Sequence, residues 1–306
     1  MPSRTRQLDA YPVARKTFRP LQMASLLLAL GAGLCWGGAA PARQAPVSGA
    51  ARPADSAALD RALAGDWRSS ANRARDVYRH PKTTLEFFEV HPGQTVIEIT
   101  PGGGWYSEIL APLLRDDGHY VAAVAAAPKD REAQRDESAL QRLFRSDPAQ
   151  YAHATIREFD PKAPVFGPPG SADRVLTFRN VHNWMAAGTA PAMFKAFFAV
   201  LRPGGVLGVV DHRAAKGATL DTVKDSGYLP VDYVVKLATD AGFELAASSE
   251  INANPKDTKD YPKGVWTLPP TFTLGAQDRA RYAAIGESDR MTLRFVKPAQ
   301  GAANPR

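Results

Sequence analysis

The sequence holds one cysteine, Cys35, among its 306 residues. Cys35 falls in a stretch that reads as a removable leader. The mature chain is then expected to have no disulfide, no thiol nucleophile and no cysteine-bound metal. Neither H-x-x-H nor H-E-x-x-H spacing occurs, so no metal site is expected. No Gly-Lys-Ser/Thr closes a glycine loop, which excludes a P-loop nucleotide site. There is no internal repeat and no heptad run. There is also no arginine-rich stretch interleaved with aromatics. The net charge is +7, but Arg4, Arg6, Arg15, Lys16 and Arg19 against Asp9 put +4 of it in residues 1–42, leaving +3 for the rest. A nucleic-acid partner is therefore not expected.

What is present begins with that leader. Basic residues up to Arg19 precede the apolar run Leu21–Cys35, and small residues lead to Ala40-Pro41-Ala42. This is the layout of a secretory signal, with an apolar core short for a membrane span. Residues 1–42 are read as a signal peptide, residues 43–57 as a disordered Ala/Pro-rich linker, and the mature protein as exported, with a periplasmic location and no stable membrane span.

The body is organised around Val96 to Leu114, VIEITPGGGWYSEILAPLL. Val96, Ile97 and Ile99 read as a buried strand. Gly102, Gly103 and Gly104 form a turn. Trp105, Ile109, Leu110 and Leu113 then recur at helical spacing. Such a turn lets a ligand approach the backbone and the free N–H groups of the helix. Glu98 stands at the carboxyl end of the strand, where open α/β sheets bind ligands. A G-x-G-x-x-G dinucleotide turn does not match, because Thr100 occupies the first position.

Around this stretch strands and helices alternate. A helical pattern is expected over Ala58–Tyr78, with Arg68, Arg73, Arg75 and Arg79 as a basic, solvated face, and a second short helix over Thr83–Val90. Further strands are expected at Tyr120–Ala127, Ala154–Phe159, Asp173–Phe178, Val206–Asp211, Phe243–Ile251 and Met291–Val296, and helices at 128–144, 191–201 and 231–241. This order implies a parallel sheet with helices on both faces.

Three stretches together resemble the class I S-adenosylmethionine-dependent methyltransferases, most closely bacterial exported "predicted methyltransferases" with a PGGGWY turn. They are Glu98 to Tyr106, the LRPGGVL stretch at 201–207, and Asp173 to Asn180. The resemblance implies a Rossmann-like, seven-stranded α/β fold with an antiparallel C-terminal hairpin, as one domain over residues 58–300. That domain divides into an N-terminal helical cap (58–90), a cofactor-binding half (91–215) and a C-terminal half with a capping loop (216–300). It also implies S-adenosyl-L-methionine as cofactor, held by Glu98, Thr100, Gly102, Gly103, Gly104, Asp160, Arg179 and Asn180. The sequence departs from the family at the end of the second strand. Ala125, Ala126 and Ala127 stand where an acidic residue usually takes the ribose hydroxyls.

Methyl transfer needs alignment of the reacting atoms and removal of a proton from the acceptor. His182, His212 and Asp211 follow the fourth and fifth strands and are the expected catalytic groups. Tyr228 and Trp184 are candidate walls of the acceptor site, and the loop Asn252 to Pro270 its cap. The expected activity is methyl transfer to a small molecule. The alternative is an exported, non-catalytic binding protein that keeps the fold.

Overall fold

The computed structural model describes residues 53–126 and 137–299. The expected leader, the first part of the expected linker, Ala127 of the expected second strand and residues 128–136 of the expected charged helix lie outside the described residues.

Seven strands form one sheet: β1 (Thr95–Ile99), β2 (His119–Ala125), β3 (Thr155–Phe159), β4 (Ala172–Phe178), β5 (Leu201–His212), β6 (Glu244–Ser249) and β7 (Arg290–Val296), in the order β3-β2-β1-β4-β5-β7-β6. The first five pair in parallel. The last strand runs antiparallel between β5 and β6. The expected seven-stranded sheet with a C-terminal antiparallel hairpin is therefore the one observed. The direction of strand order reverses beside β1: β2 and β3 lie on one side, β4 and β5 on the other. That reversal opens a crevice at the carboxyl ends of β1 and β4.

The strands alternate sides in their burial, as the pleat requires. On one face Ile97, Ile99, Val121, Ala123, Val175, Leu207 and Val209 meet α8 (Val181–Ala186), α9 (Ala190–Val200) and α11 (Val231–Asp240). On the other, Val96, Tyr120, Ala122, Leu176 and Val210 meet α1 (Pro53–Ala64), α4 (Pro81–Phe87), α5 (Ser107–Leu114) and α6 (Ala139–Ser146). Each fully buried aliphatic side chain contributes about 1.5–3 kcal/mol, so both layers are anchored by the strands.

The N-terminal cap differs from expectation in its first helix. The segment expected at 58–78 breaks into α1, α2 (Ser70–Arg73) and α3 (Asp76–Arg79), while α4 takes the place of the short helix expected at 83–90. Gly65 ends the first piece, and the Ser69 hydroxyl caps the second by accepting the Asn72 N–H. Helix α1 starts at Pro53, inside the segment read as linker. The basic face is solvated only in part, with Arg73 exposed and Arg75 half-buried. Arg68 and Arg79 are buried, Arg68 in a two-pronged pair with Asp76. Two tryptophans bolt the cap to the body: Trp67 Nε1 donates to Glu108 O (2.9 Å) and Trp105 Nε1 to Asn72 O (3.0 Å). Four short helical elements complete the described residues: α7 (Pro148–Tyr151), α10 (Leu220–Val223), the 3-10 turn Gly264–Thr267 and α12 (Arg279–Ile285). No described helix is long and apolar enough to cross a membrane.

Candidate functional site

The turn after β1 has three residues in the left-handed region, Thr100 (φ 53°), Gly102 (φ 62°) and Gly104 (φ 89°). Glycine adopts this conformation freely, whereas β-branched Thr100 does so at a cost of about 1–2 kcal/mol. Arg179, at the end of β4, is also left-handed (φ 64°). Two strained side-chain-bearing residues thus face each other across the crevice, the kind of backbone that folds retain at functional sites. The three glycines divide their work. A Cβ on Gly102 or Gly103 would meet nothing within 4 Å, so their backbone lies bare. A Cβ on Gly104 would lie 2.6 Å from Leu143 and 3.2 Å from Leu140, so Gly104 is a packing position under α6.

Three cavities run along the carboxyl ends of the strands and share walls. The middle one, about 260 Å³, is lined by Glu98, Thr100, Pro101, Gly102, Gly103, Arg179 and Asn180, roofed from the cap by Asn72, Arg75 and Arg79. A second, about 330 Å³, lies on the β2 side and shares Thr100, Pro101 and Gly102 with it. Val124, Ala125, Leu140 and Ile156 give this cavity apolar walls, with Glu158 at its rim. The third, about 320 Å³, lies on the β5 side and shares Arg75, Arg79 and Arg179 with the middle one. Its walls include His182, His212, Trp266, Glu287 and Arg290. A larger hollow of about 520 Å³ sits at the amino end of the sheet, by Pro92 and Gly93, away from all of these groups.

Glu98 is buried, and its Oε2 accepts from Tyr120 (2.6 Å) and Ser107 (3.2 Å). Burial raises its pKa to about 7, against the opposing pull of those hydroxyls and of Arg179 and Arg79. Asn180 joins the two strand ends by donating from Nδ2 to Ile99 O (2.9 Å) and Thr177 Oγ1 (3.2 Å). Asp160 stands beyond the end of β3, where its Oδ1 accepts the Lys162 N–H (2.9 Å). It lines none of the three cavities. Glu158, which sequence reasoning passed over, does line one. It pairs in register with Val124 of β2, one position before Ala125. The missing strand-two acid has a carboxylate on the neighbouring strand.

His182, Asp211 and His212 come together as expected, with ligand-type atoms within 4.8 Å of one another. Asp211 is fully buried. Its Oδ2 accepts the Val181 N–H (2.7 Å), and its Oδ1 faces His182 Nδ1 (2.9 Å) and accepts the His212 N–H (2.7 Å). With both oxygens occupied, Asp211 is an orienting group, and it leaves His182 Nε2 free for a proton. Burial, then the neighbouring basic side chain of His182 and the cations Arg290 and Arg179, push His212 well below its ordinary pKa and keep it neutral. The same cationic surroundings disfavour a metal ion at this trio. Trp184 lies in the core and Tyr228 donates to Asp257 (2.9 Å), and neither lines any of these three cavities. The aromatic wall is Trp266, from the loop expected to cap this region.

No family model and no curated protein matches the sequence. Solved structures do. One from Galdieria sulphuraria, described as a sarcosine dimethylglycine methyltransferase, superposes with a TM-score of 0.50 at 11% identity, over 74% of this chain and 88% of that one. The fold is that of the class I methyltransferases. An Aquifex aeolicus SAM dependent methyltransferase aligns at a TM-score of 0.48 and 12% identity, over 79% of this chain and 98% of that one. Phosphoethanolamine N-methyltransferase 2 of Haemonchus contortus, solved in complex with S-adenosyl-L-methionine, aligns at 0.45 and 16%, over 72% of this chain and 53% of that one. At these identities the likeness to the class I methyltransferases is one of fold, and function must be argued from the site.

Proposed function

We propose that this chain transfers a methyl group from S-adenosyl-L-methionine to a small-molecule acceptor. The observation that carries the reading is the crevice between β1 and β4, bordered by the left-handed Thr100 and Arg179 and by the bare backbone of Gly102 and Gly103. When bound, the cofactor supplies an electrophilic methyl group on a positively charged sulfur. The residues fit it. Glu98 and the Gly102–Gly103 backbone would hold its methionyl end in the middle cavity, with Arg179 and Asn180 on the opposite wall. Thr100 is shared with the β2-side cavity, whose apolar walls suit an adenine and whose Glu158 suits ribose hydroxyls. The acceptor belongs in the β5-side cavity, where His182 Nε2 takes its proton while Asp211 fixes the ring. His212 borders the same space.

Calorimetry on the full chain with S-adenosylmethionine and its demethylated product, S-adenosylhomocysteine, tests this. Binding of both, abolished in Glu98→Ala, is expected. No heat at millimolar ligand would refute it.

The second reading is a non-catalytic binding protein, favoured by the alanines that end β2 in place of an acid. Under that reading no acceptor is methylated, and His182→Ala leaves S-adenosylmethionine affinity unchanged. Export through the leader is part of the same proposal. Mass spectrometry of the mature N-terminus checks it, and an intact Met1 would overturn it.

A further inference from the structure

We infer that the methyl acceptor carries an oxyanion, a carboxylate or a phosphate, gripped by Arg179 together with the unbonded N–H groups of Arg75, Arg79 and Arg290. This rests on the methyltransferase reading and names the acceptor's class.

The β5-side cavity is lined by four arginines, Arg75, Arg79, Arg179 and Arg290, and by one carboxylate, Glu287. That carboxylate is spent on the arginines themselves. Its Oε1 accepts from Arg75 Nε (2.7 Å), and its Oε2 accepts from Arg79 Nε (3.2 Å) and from Arg290 Nη2. Donors remain. Arg75 Nη2, Arg79 Nη1 and Arg290 Nε are buried without a hydrogen-bond partner, although Arg79 and Arg290 are only 3% and 2% exposed. The Arg179 guanidinium makes no hydrogen bond or ion pair among the described residues. Leaving buried charged donors unmade is expensive, so a partner from outside the chain is the economical explanation.

The arginines are also held in place before any ligand arrives. Arg290 Nη1 donates to Tyr78 O (3.1 Å), and the Arg79 guanidinium lies over the Trp105 ring, 4.6 Å from its centre. A fixed guanidinium fork is matched to a carboxylate or phosphate. Burial, then neighbouring arginines, pull Arg79 and Arg179 below their ordinary pKa, which a bound anion would relieve. The other carboxylates nearby do not serve. Both Asp211 oxygens are taken, and Glu98 lies across the middle cavity against Ser107 and Tyr120.

The cofactor cannot discharge the cluster either. S-adenosylmethionine brings one carboxylate but also an ammonium and a sulfonium, so its arrival adds positive charge beside the arginines. An anionic acceptor is then favoured more by the loaded protein than by one holding S-adenosylhomocysteine, which lacks the sulfonium charge.

The test is calorimetry on the full chain, saturated with either cofactor form, against malonate, inorganic phosphate and the uncharged malonamide. Saturable binding of malonate or phosphate is expected, at least about tenfold tighter than malonamide and tighter with S-adenosylmethionine than with S-adenosylhomocysteine. Preference between the two anions tells carboxylate from phosphate. Arg179→Met should weaken the anion about tenfold, and Arg179→Lys less. The inference falls if the cofactor binds but neither anion does, or if malonamide binds equally well; the wild-type comparison decides this even should a variant misfold. If anions bind and neither cofactor form does, the anion site stands and the methyltransferase reading fails instead.

Discussion

His182 Nδ1 lies 2.9 Å from Asp211 Oδ1, and Asp211 accepts two backbone N–H groups besides. Three donors therefore converge on one fully buried carboxylate. Asp211→Asn would turn an amide N–H₂ toward a donor and leave it unmatched. The expected loss is about 2–4 kcal/mol of folding stability, read as a lower urea midpoint at unchanged slope. A loss below about 1 kcal/mol would mean that the carboxylate does not organise this corner.

Glu98 gives the site its pH dependence. Burial raises its pKa to about 7, so the folded protein favours the neutral carboxyl. The sign is that of a raised carboxyl: Glu98 costs stability as pH climbs from the ordinary carboxylate range through about 7. A cationic ligand reverses the preference, because it binds the ionised form. S-adenosylmethionine affinity should rise about tenfold from about pH 6 to about pH 8, and Glu98→Gln should flatten that rise. A flat wild-type profile would place the cation away from Glu98.

The glycine turn separates fold from ligand. Gly103→Ala puts a methyl group into open space without a left-handed backbone. Stability should stay within about 0.5 kcal/mol, while S-adenosylhomocysteine affinity falls at least about tenfold. Gly104→Ala, at φ 89° and 2.6 Å from Leu143, should instead lower the melting temperature, by about 1–3 kcal/mol of stability. Equal effects of the two on stability would contradict this division.

On the β2 side, Glu158→Ala should weaken S-adenosylhomocysteine about fivefold or more, and Asp160→Ala should leave it nearly unchanged. The reverse order would restore Asp160 as the cofactor contact.

The sheet was readable because its strands are short apolar runs closed by glycine and proline turns, and the LRPGG stretch marks the start of β5. That strand begins at Leu201, opposite Ala172, and residues 202–205 form an irregularity before pairing resumes with Val206 opposite Arg174. Glu98, His182 and Asp211 were readable because they stand at or just beyond strand ends. The arginine cluster was not. Arg75 and Arg79 meet Glu287 across more than 200 residues, and a run of arginines on a helical pattern looks the same whether solvated or buried. Glu158 was missed for a subtler reason. Its place at the rim depends on the β2–β3 register, opposite Val124, which no local pattern in the third strand specifies. Trp266 was hidden in a polar loop whose only ordered element is a 3-10 turn.

The central claim is that the β1–β4 crevice holds S-adenosylmethionine. A crystal structure of the full chain with S-adenosylhomocysteine tests it most directly. The predicted result is the ligand's methionyl end against Glu98, Gly102 and Gly103, with its adenosine between Val124, Leu140 and Glu158. A ligand bound anywhere else, or none at millimolar concentration, would contradict it.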